Sequence, residues 1–251
     1  MEGGRDSIRR AGNELLRPLN PWTPKVHGFL RYLETQGFTN VPKVLRIDRQ
    51  DEVLSWVEGC CSNYPLSGDA ASDETLMSAA LLLRQYHDVS ANYARTAPTE
   101  GWMLSAVNPI EVMCHGDFAP YNVVLNGSDA VGIIDFDTLH PGSRLSDVAY
   151  AVYRWAPLKN PRNPDSMGDL ASQVRRTKVF CDSYGLKAPE RTRLVISMIE
   201  RLNALVDFMG KAADKGDKTF SAHIAEGHLD AYLDDIEYLT INRDVIVLGV
   251  L

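Results

Sequence analysis

The sequence predicts an α+β protein, with a short β-rich beginning and a mostly helical remainder, on three observations. Two pairs of strand-like segments around one amphipathic helix crowd residues 6–57, and helix-length apolar periodicity fills most of the chain after Asp147. Between them lies one short apolar hairpin, entered through the loop Cys114-His115-Gly116-Asp117-Phe118-Ala119-Pro120-Tyr121-Asn122.

The elements follow in order. Residues 6–18 read as a hairpin, Ser7 to Arg10 and Glu14 to Arg17 around the turn Ala11-Gly12-Asn13. Thr23 as a cap, Pro24, and Val26, Phe29, Leu30 and Leu33 at helical spacing predict a helix ending near Gly37. Val41 to Ile47 and Glu52 to Val57 read as strands joined by the polar turn Asp48 to Asp51. Glu58 to Asp69 has linker composition, which sets a boundary between residues 1–59 and 60–251. Asp73 caps a helix to about His87; Val112 to Cys114, Val123 to Leu125 and Val131 to Ile134 are short strands, the last two joined at Asn126-Gly127. Helices are expected over 148–155, 167–184, 190–209 and 222–239.

The chain has 251 residues, of which 45% are apolar, enough for a sizeable core. A net charge of −7 without a dense Lys/Arg block argues against nucleic acid as a partner and favours a small, cationic molecule. Cys60, Cys61, Cys114 and Cys181 lack zinc-ligand spacing and read as reduced thiols of a cytoplasmic protein. The charged N-terminus and the lack of a run of about 18 apolar residues predict neither a secretion signal nor a membrane span. Oligomeric state is not legible.

Asp117 and Asn122 leave one loop whose ends are fixed by strands, and Asp135 ends the following strand Gly132-Ile133-Ile134. Phosphoryl transfer asks mainly for positioning and charge neutralisation. Asp117 can orient a hydroxyl and accept its proton, while Asn122 and Asp135 provide hard oxygen ligands of the kind Mg²⁺ prefers. Asp137 is a further metal candidate. His115 belongs to the same catalytic loop and is expected to hold its backbone by hydrogen bonds.

At these residues, and at Arg144-Leu145-Ser146-Asp147-Val148-Ala149-Tyr150, the chain resembles the aminoglycoside phosphotransferase and choline kinase-like family, small-molecule relatives of the protein kinases. The resemblance implies a bilobal, protein-kinase-like fold with a shortened β-rich N-terminal lobe and a helical C-terminal lobe, and an ATP- and Mg²⁺-dependent kinase acting on a hydroxyl. It assigns Asp117 as base, Asn122 and Asp135 as metal ligands, Asp147 as brace of the catalytic loop, and Ser55, Trp56 and Val57 as the hinge that pairs with adenine. Where the family has a phosphate-covering glycine turn, only Gly3-Gly4 precedes the first strand. Where it has a phosphate-contacting Lys, this chain has Arg17. For the helix Glu that pairs with that Lys, the one candidate is Glu34, near the helix end.

Antibiotic resistance or toxin immunity is a compatible role. The shortened start and the missing Lys keep a second class open, a nucleotide-binding pseudokinase that serves as an immunity or regulatory module. A third reading is a metal-dependent hydrolase built from His115, Asp117, Asp135 and His140. Trp22, Trp56, Trp102 and Trp155 read as core or pocket walls, and Asp230, Asp234, Asp235 and Glu237 as a solvated face or a lure for an ammonium group.

Overall fold

The computed structural model describes residues 8–251; Gly3, Gly4 and the Ser7 end of the expected first strand lie outside the described residues. The chain divides into two compact units, one running to Ser62 and resuming over Leu82–Arg144, the other made of Asn63–Leu81 and Leu145–Leu251. The expected lobes, 1–59 and 60–251, divide the chain by role instead, and belong with the functional proposal.

In the first unit, strands β1 (Arg9–Ala11), β2 (Glu14–Pro18), β3 (Val44–Asp48) and β4 (Asp51–Ser55) form an antiparallel sheet in the order β1-β2-β4-β3. The strand, strand, helix, strand, strand order read from the sequence is the order found. Helix α1 (Thr23–Thr35) joins the two hairpins, and its spaced apolar residues Val26, Phe29, Leu30 and Leu33 are all at most 2% exposed. Each contributes on the order of 1.5–3 kcal/mol through burial. Thr23 is not the cap: its hydroxyl accepts the Asn20 N–H, and Pro24 occupies the first turn, where its missing donor costs nothing.

Helix α2 (Asp73–Ala94) runs a further turn and more beyond the expected end. Its start is capped by the Ser72 hydroxyl, which accepts the Thr75 N–H, while Asp73 pairs with Arg175 and Arg176. In the first unit, Tyr86 and Tyr93 of α2 pack edge-on against Phe29 of α1, with centroids 6.0 and 5.1 Å away, and Phe136 seats against Phe29 and Tyr86. Strand β5 (Val112–Cys114), nearly inaccessible to solvent, pairs with β8 (His140–Gly142); β6 (Val123–Asn126) and β7 (Asp129–Ile133) form the hairpin turned at Gly127, whose φ of +59° only glycine adopts readily. Strand β8 was not foreseen, because three residues reading His-Pro-Gly carry no strand pattern.

The second unit is helical: α3 (Arg144–Trp155), α4 (Leu170–Tyr184), α5 (Ala188–Asp214), α6 (Lys218–Ala225), α7 (His228–Ile241) and α8 (Arg243–Val250). The single helix expected over 222–239 is two, α6 and α7, broken at Gly227 with φ +86°. The α8 segment, which lies beyond the last helix expected from the sequence, is helical and packs on α4 and α5. Two buried charges anchor this unit. Asp235, fully buried, accepts bonds from the Tyr153 hydroxyl (2.7 Å), the Asn160 N–H (2.7 Å) and the Asn163 amide (2.9 Å). Lys159, 1% exposed, lies 3.0 Å from Asp165 and over the rings of Tyr64 and Tyr153.

Burial, with Arg154 nearby, lowers the Lys159 amine from the usual 10.5 to about 8, outweighing Asp165. The unfolded chain therefore binds the extra proton between those values, so the cost to stability is full below about pH 8 and fades as pH rises toward 10.5. Lys159→Met is expected to stabilise the protein at pH 7 by on the order of 3 kcal/mol, with the gain shrinking steadily above pH 8. Denaturant melts of both proteins across pH 7–10.5 measure the difference, and a gain independent of pH would refute the buried-charge account.

Candidate active site

The loop from His115 to Asn122, with Asp135 and Asp137, belongs to the first unit. Strand β5 delivers His115 into the loop, Gly116 turns it with φ +81°, a short 3₁₀ turn over Pro120–Asn122 closes it, and β6 takes the chain away. Gly116 is obligatory on two counts, the positive φ and the position of its missing Cβ, which would stand 2.6 Å from the Thr138 carbonyl oxygen.

His115, fully buried, ties this loop to the one after β7. Its Nδ1 accepts the Asp117 N–H at 3.3 Å, its Nε2 lies 3.0 Å from the Ile134 carbonyl oxygen, and its own carbonyl accepts the Thr138 hydroxyl at 2.8 Å. With Nδ1 accepting and Nε2 against a carbonyl, both ring nitrogens are in use. This is the backbone-holding arrangement expected of it.

Asp117 is held on both carboxylate oxygens. The Tyr121 hydroxyl donates to Oδ1 at 2.7 Å and the Asn122 amide to Oδ2 at 2.9 Å; the same amide also reaches the Asp117 carbonyl at 3.0 Å. Only an NH₂ group can serve two acceptors, so the Asn122 nitrogen faces Asp117 and its oxygen faces away. Tyr121, part of the loop motif, was given no role from the sequence.

Asp135 takes a left-handed conformation, φ +62° and ψ +70°, unusual for a residue with a side chain. Its side chain is 42% exposed, whereas that of Asp137 is 5% exposed and uses one oxygen to accept both Arg17 Nη2 at 3.0 Å and the Trp22 indole N–H at 3.1 Å. Of the two carboxylates, Asp135 is the one presented to solvent. Trp22 thus has a polar task beyond packing.

Arg17 is 7% exposed, and each nitrogen meets a carboxylate: Nε with Glu52 at 2.6 Å, Nη1 with Asp135 at 2.9 Å, Nη2 with Asp137 at 3.0 Å. Burial works against its charge, but Asp137, Asp135 and Glu52 outweigh burial and hold the guanidinium further above its ordinary range. Here Arg17 faces side-chain carboxylates. Glu34, on α1, pairs with exposed Lys43 instead. Glu52, fully buried, and His27, 2% exposed, complete the cluster and were missed; the only signal was an acid inside an apolar strand.

At the expected hinge, the Ser55 N–H bonds the Lys43 carbonyl, the Ser55 hydroxyl accepts the Lys43 N–H, and the Trp56 N–H bonds the Asn13 carbonyl. The Trp56 indole nitrogen is buried with no hydrogen-bond partner among the described residues, Arg10 covers the ring at 4.0 Å, and Val57 packs on Gly132. In the second unit, Asp147 is 3% exposed in the first turn of α3. Of the four acids noted near the C-terminus, Asp235 is internal and engaged, and Asp234 lies 3.5 Å from Arg162. His140 Nδ1 lies 2.8 Å from the Thr138 carbonyl, and among the described residues no three His, Cys, Asp or Glu side chains are grouped to hold one metal. Both His115 nitrogens are engaged as well, so this geometry gives the hydrolase reading no support.

Gly116→Ala is expected to destabilise the protein by about 1–3 kcal/mol more than Gly127→Ala, since Gly127 has a positive φ but open space around it. Equal melting-temperature losses would show that the Thr138 contact is not limiting.

The model of the phosphotransferase enzyme family matches residues 78–164. A trifolitoxin immunity protein of Rhizobium leguminosarum bv. trifolii is 27% identical over 205 residues, covering 78% of this chain and 77% of that protein. A choline/ethanolamine kinase family protein from Mesorhizobium loti superposes with a TM-score of 0.60 at 16% identity, over 97% of this chain and 88% of its own. Macrolide 2'-phosphotransferase MphH from Brachybacterium faecium gives 0.56 at 14% identity, over 86% and 85%. ADP-bound aminoglycoside phosphotransferase APH(2'')-Ib gives 0.53 at 12% identity, over 93% of each chain. Residues 78–164 carry the sequence pattern of the phosphotransferase enzyme family, on the α+β, kinase-like fold of the aminoglycoside phosphotransferases and choline/ethanolamine kinases.

Proposed function

We propose that the protein is an ATP- and Mg²⁺-dependent phosphotransferase that acts on a hydroxyl of a small, cationic molecule, with antibiotic resistance or toxin immunity as its role. The observation that carries this reading is the orientation of Asn122: its nitrogen fastens Asp117 and its oxygen is turned away. Asp135, half-exposed and held in a left-handed conformation, supplies the second hard oxygen. Two such ligands suit Mg²⁺, which commonly keeps waters and phosphate oxygens in its other positions. When bound, the metal would offset the charge that develops on the transferred group.

The protein's own part is positional. Asp117, oriented by Tyr121 and Asn122, accepts the hydroxyl proton, and His115 keeps the loop from shifting. With the Ser55 and Trp56 N–H groups already engaged by Lys43 and Asn13, the backbone from Val57 onward is the part of the Ser55–Val57 hinge left to pair with the edge of a purine. Residues 1–59, of which Gly3 and Gly4 lie outside the described residues, would then serve the nucleotide and residues 60–251 the catalytic loop and substrate, with Asp147 as a brace. The acidic chain and exposed Asp230 and Glu237 suit a cationic substrate. The immunity relative supports the biological role.

A second reading, a nucleotide-binding immunity module without turnover, is favoured by Arg17, whose guanidinium faces three carboxylates. Asp117→Asn is expected to lower transfer to hydroxylated amines by roughly 10²–10⁴-fold and to leave nucleotide binding intact. Nucleotide binding with no Asp117-dependent turnover would establish the module. Mg-nucleotide at about 100 times its dissociation constant should stabilise the parent protein by ~2.7 kcal/mol. Asp135→Ala should lose most of that shift in thermal melts, and an undiminished shift would remove Asp135 from the metal site.

A further inference from the structure

The buried cluster around Arg17 ties the sheet and helix α1 to the loop after β7. Arg17 on β2 and Glu52 on β4 stand directly opposite in the antiparallel register, which brings their side chains together on one face of the sheet. Helix α1 contributes a histidine in place of an acid, with His27 Nε2 against Glu52 Oε2. Glu34, the acid that α1 does carry, is 48% exposed and engaged with Lys43. We infer that Glu52, clamped by His27, is a positioning residue for phosphoryl transfer: it locks the Arg17 guanidinium so that Arg17 in turn fixes Asp135 and Asp137. The inference rests on the kinase reading above and names the residues that set the geometry of its metal-holding carboxylate.

The argument is geometric. A guanidinium is planar, so fixing Nε fixes the directions in which Nη1 and Nη2 donate. Glu52 Oε1 takes Nε, Nη1 then points at Asp135 and Nη2 at Asp137. Glu52 cannot rotate, because its other oxygen is engaged by His27. Three carboxylates around one guanidinium leave an excess of negative charge. It reaches solvent at Asp135, with 42% side-chain exposure against 0% for Glu52 and 5% for Asp137. A divalent cation at Asp135 offsets that excess, so the cluster's interior sets the strength of the cation site at its edge.

Glu52→Gln keeps the shape and removes the charge; Glu34→Gln is the matching control on α1. In the nucleotide-free protein, the Arg17 Nε–H resonance should exchange slowly with solvent and become at least about tenfold faster in Glu52→Gln, unchanged in Glu34→Gln. With the non-hydrolysable analogue AMP-PNP, the Mg²⁺ concentration giving half the maximal thermal shift should rise about tenfold in Glu52→Gln. Combined with Asp135→Asn, Glu52→Gln should add nothing further, since both act through one link. His27→Gln leaves the Arg17–Glu52 pair in place and is expected to raise the same midpoint about threefold; it replaces Glu52→Gln should that variant fail to fold. A Mg²⁺ midpoint within twofold of the parent, or effects that add to Asp135→Asn, would overturn the positioning role while leaving the kinase reading standing. If the parent shows no shift with Mg²⁺ and AMP-PNP, both fall, and a slowly exchanging Arg17 Nε–H would then mark a purely structural cluster.

Discussion

A buried histidine holds the two halves of the site to each other. His115 accepts from the Asp117 backbone within its own loop, bonds the Ile134 carbonyl and receives Thr138 on its own carbonyl, so the loop after β5 and the loop after β7 cannot move apart without breaking the last two of these hydrogen bonds. In a fully buried position each broken bond would strand a polar group, which costs more than the bond's net worth in water. Phe136 adds an apolar constraint: it packs on His115 at 4.9 Å and on the aromatic cluster of α1 and α2, and so sets the backbone from which Asp135 turns outward. The left-handed conformation of Asp135 persists because its neighbours on both sides are fixed.

Two clusters around buried carboxylates are resolved differently. Arg17, Glu52 and Asp137 are buried together and compensate one another, with the surplus leading out to Asp135. Asp235 sits among neutral donors, the Tyr153 hydroxyl, the Asn160 N–H and the Asn163 amide, so its stabilisation is by hydrogen bonds; burial still raises its proton affinity above the ordinary carboxylate value. The first arrangement opens to solvent and suits a ligand. The second is closed and joins α7 to α3 and to the segment after it.

The likenesses to solved kinases, at 12–16% identity, concern the fold, and a shared fold leaves substrate open. The immunity relative matches over most of both chains. Chemistry must therefore be argued from Asp117, Asn122 and Asp135, which are local in sequence and rigidly presented.

The sequence by itself determined the order of elements in the first unit, the hairpin at Gly127, and the loop bearing Asp117 and Asn122, because each is a local pattern: alternation, turn chemistry, or a fixed spacing between strands. It also determined the buried face of α1. It was mistaken about the caps of α1 and α2 and about the single helix over 222–239, where a positive φ at Gly227 ended a periodicity that ran on in sequence. Only the tertiary structure decided that Arg17 meets Glu52, Asp135 and Asp137, that α1 sends a histidine to Glu52, and that Tyr121 holds Asp117. The reason is physical: a buried charge takes whatever partner the packed chain brings within hydrogen-bond reach, and partners separated by 118 or 120 positions leave no periodic trace.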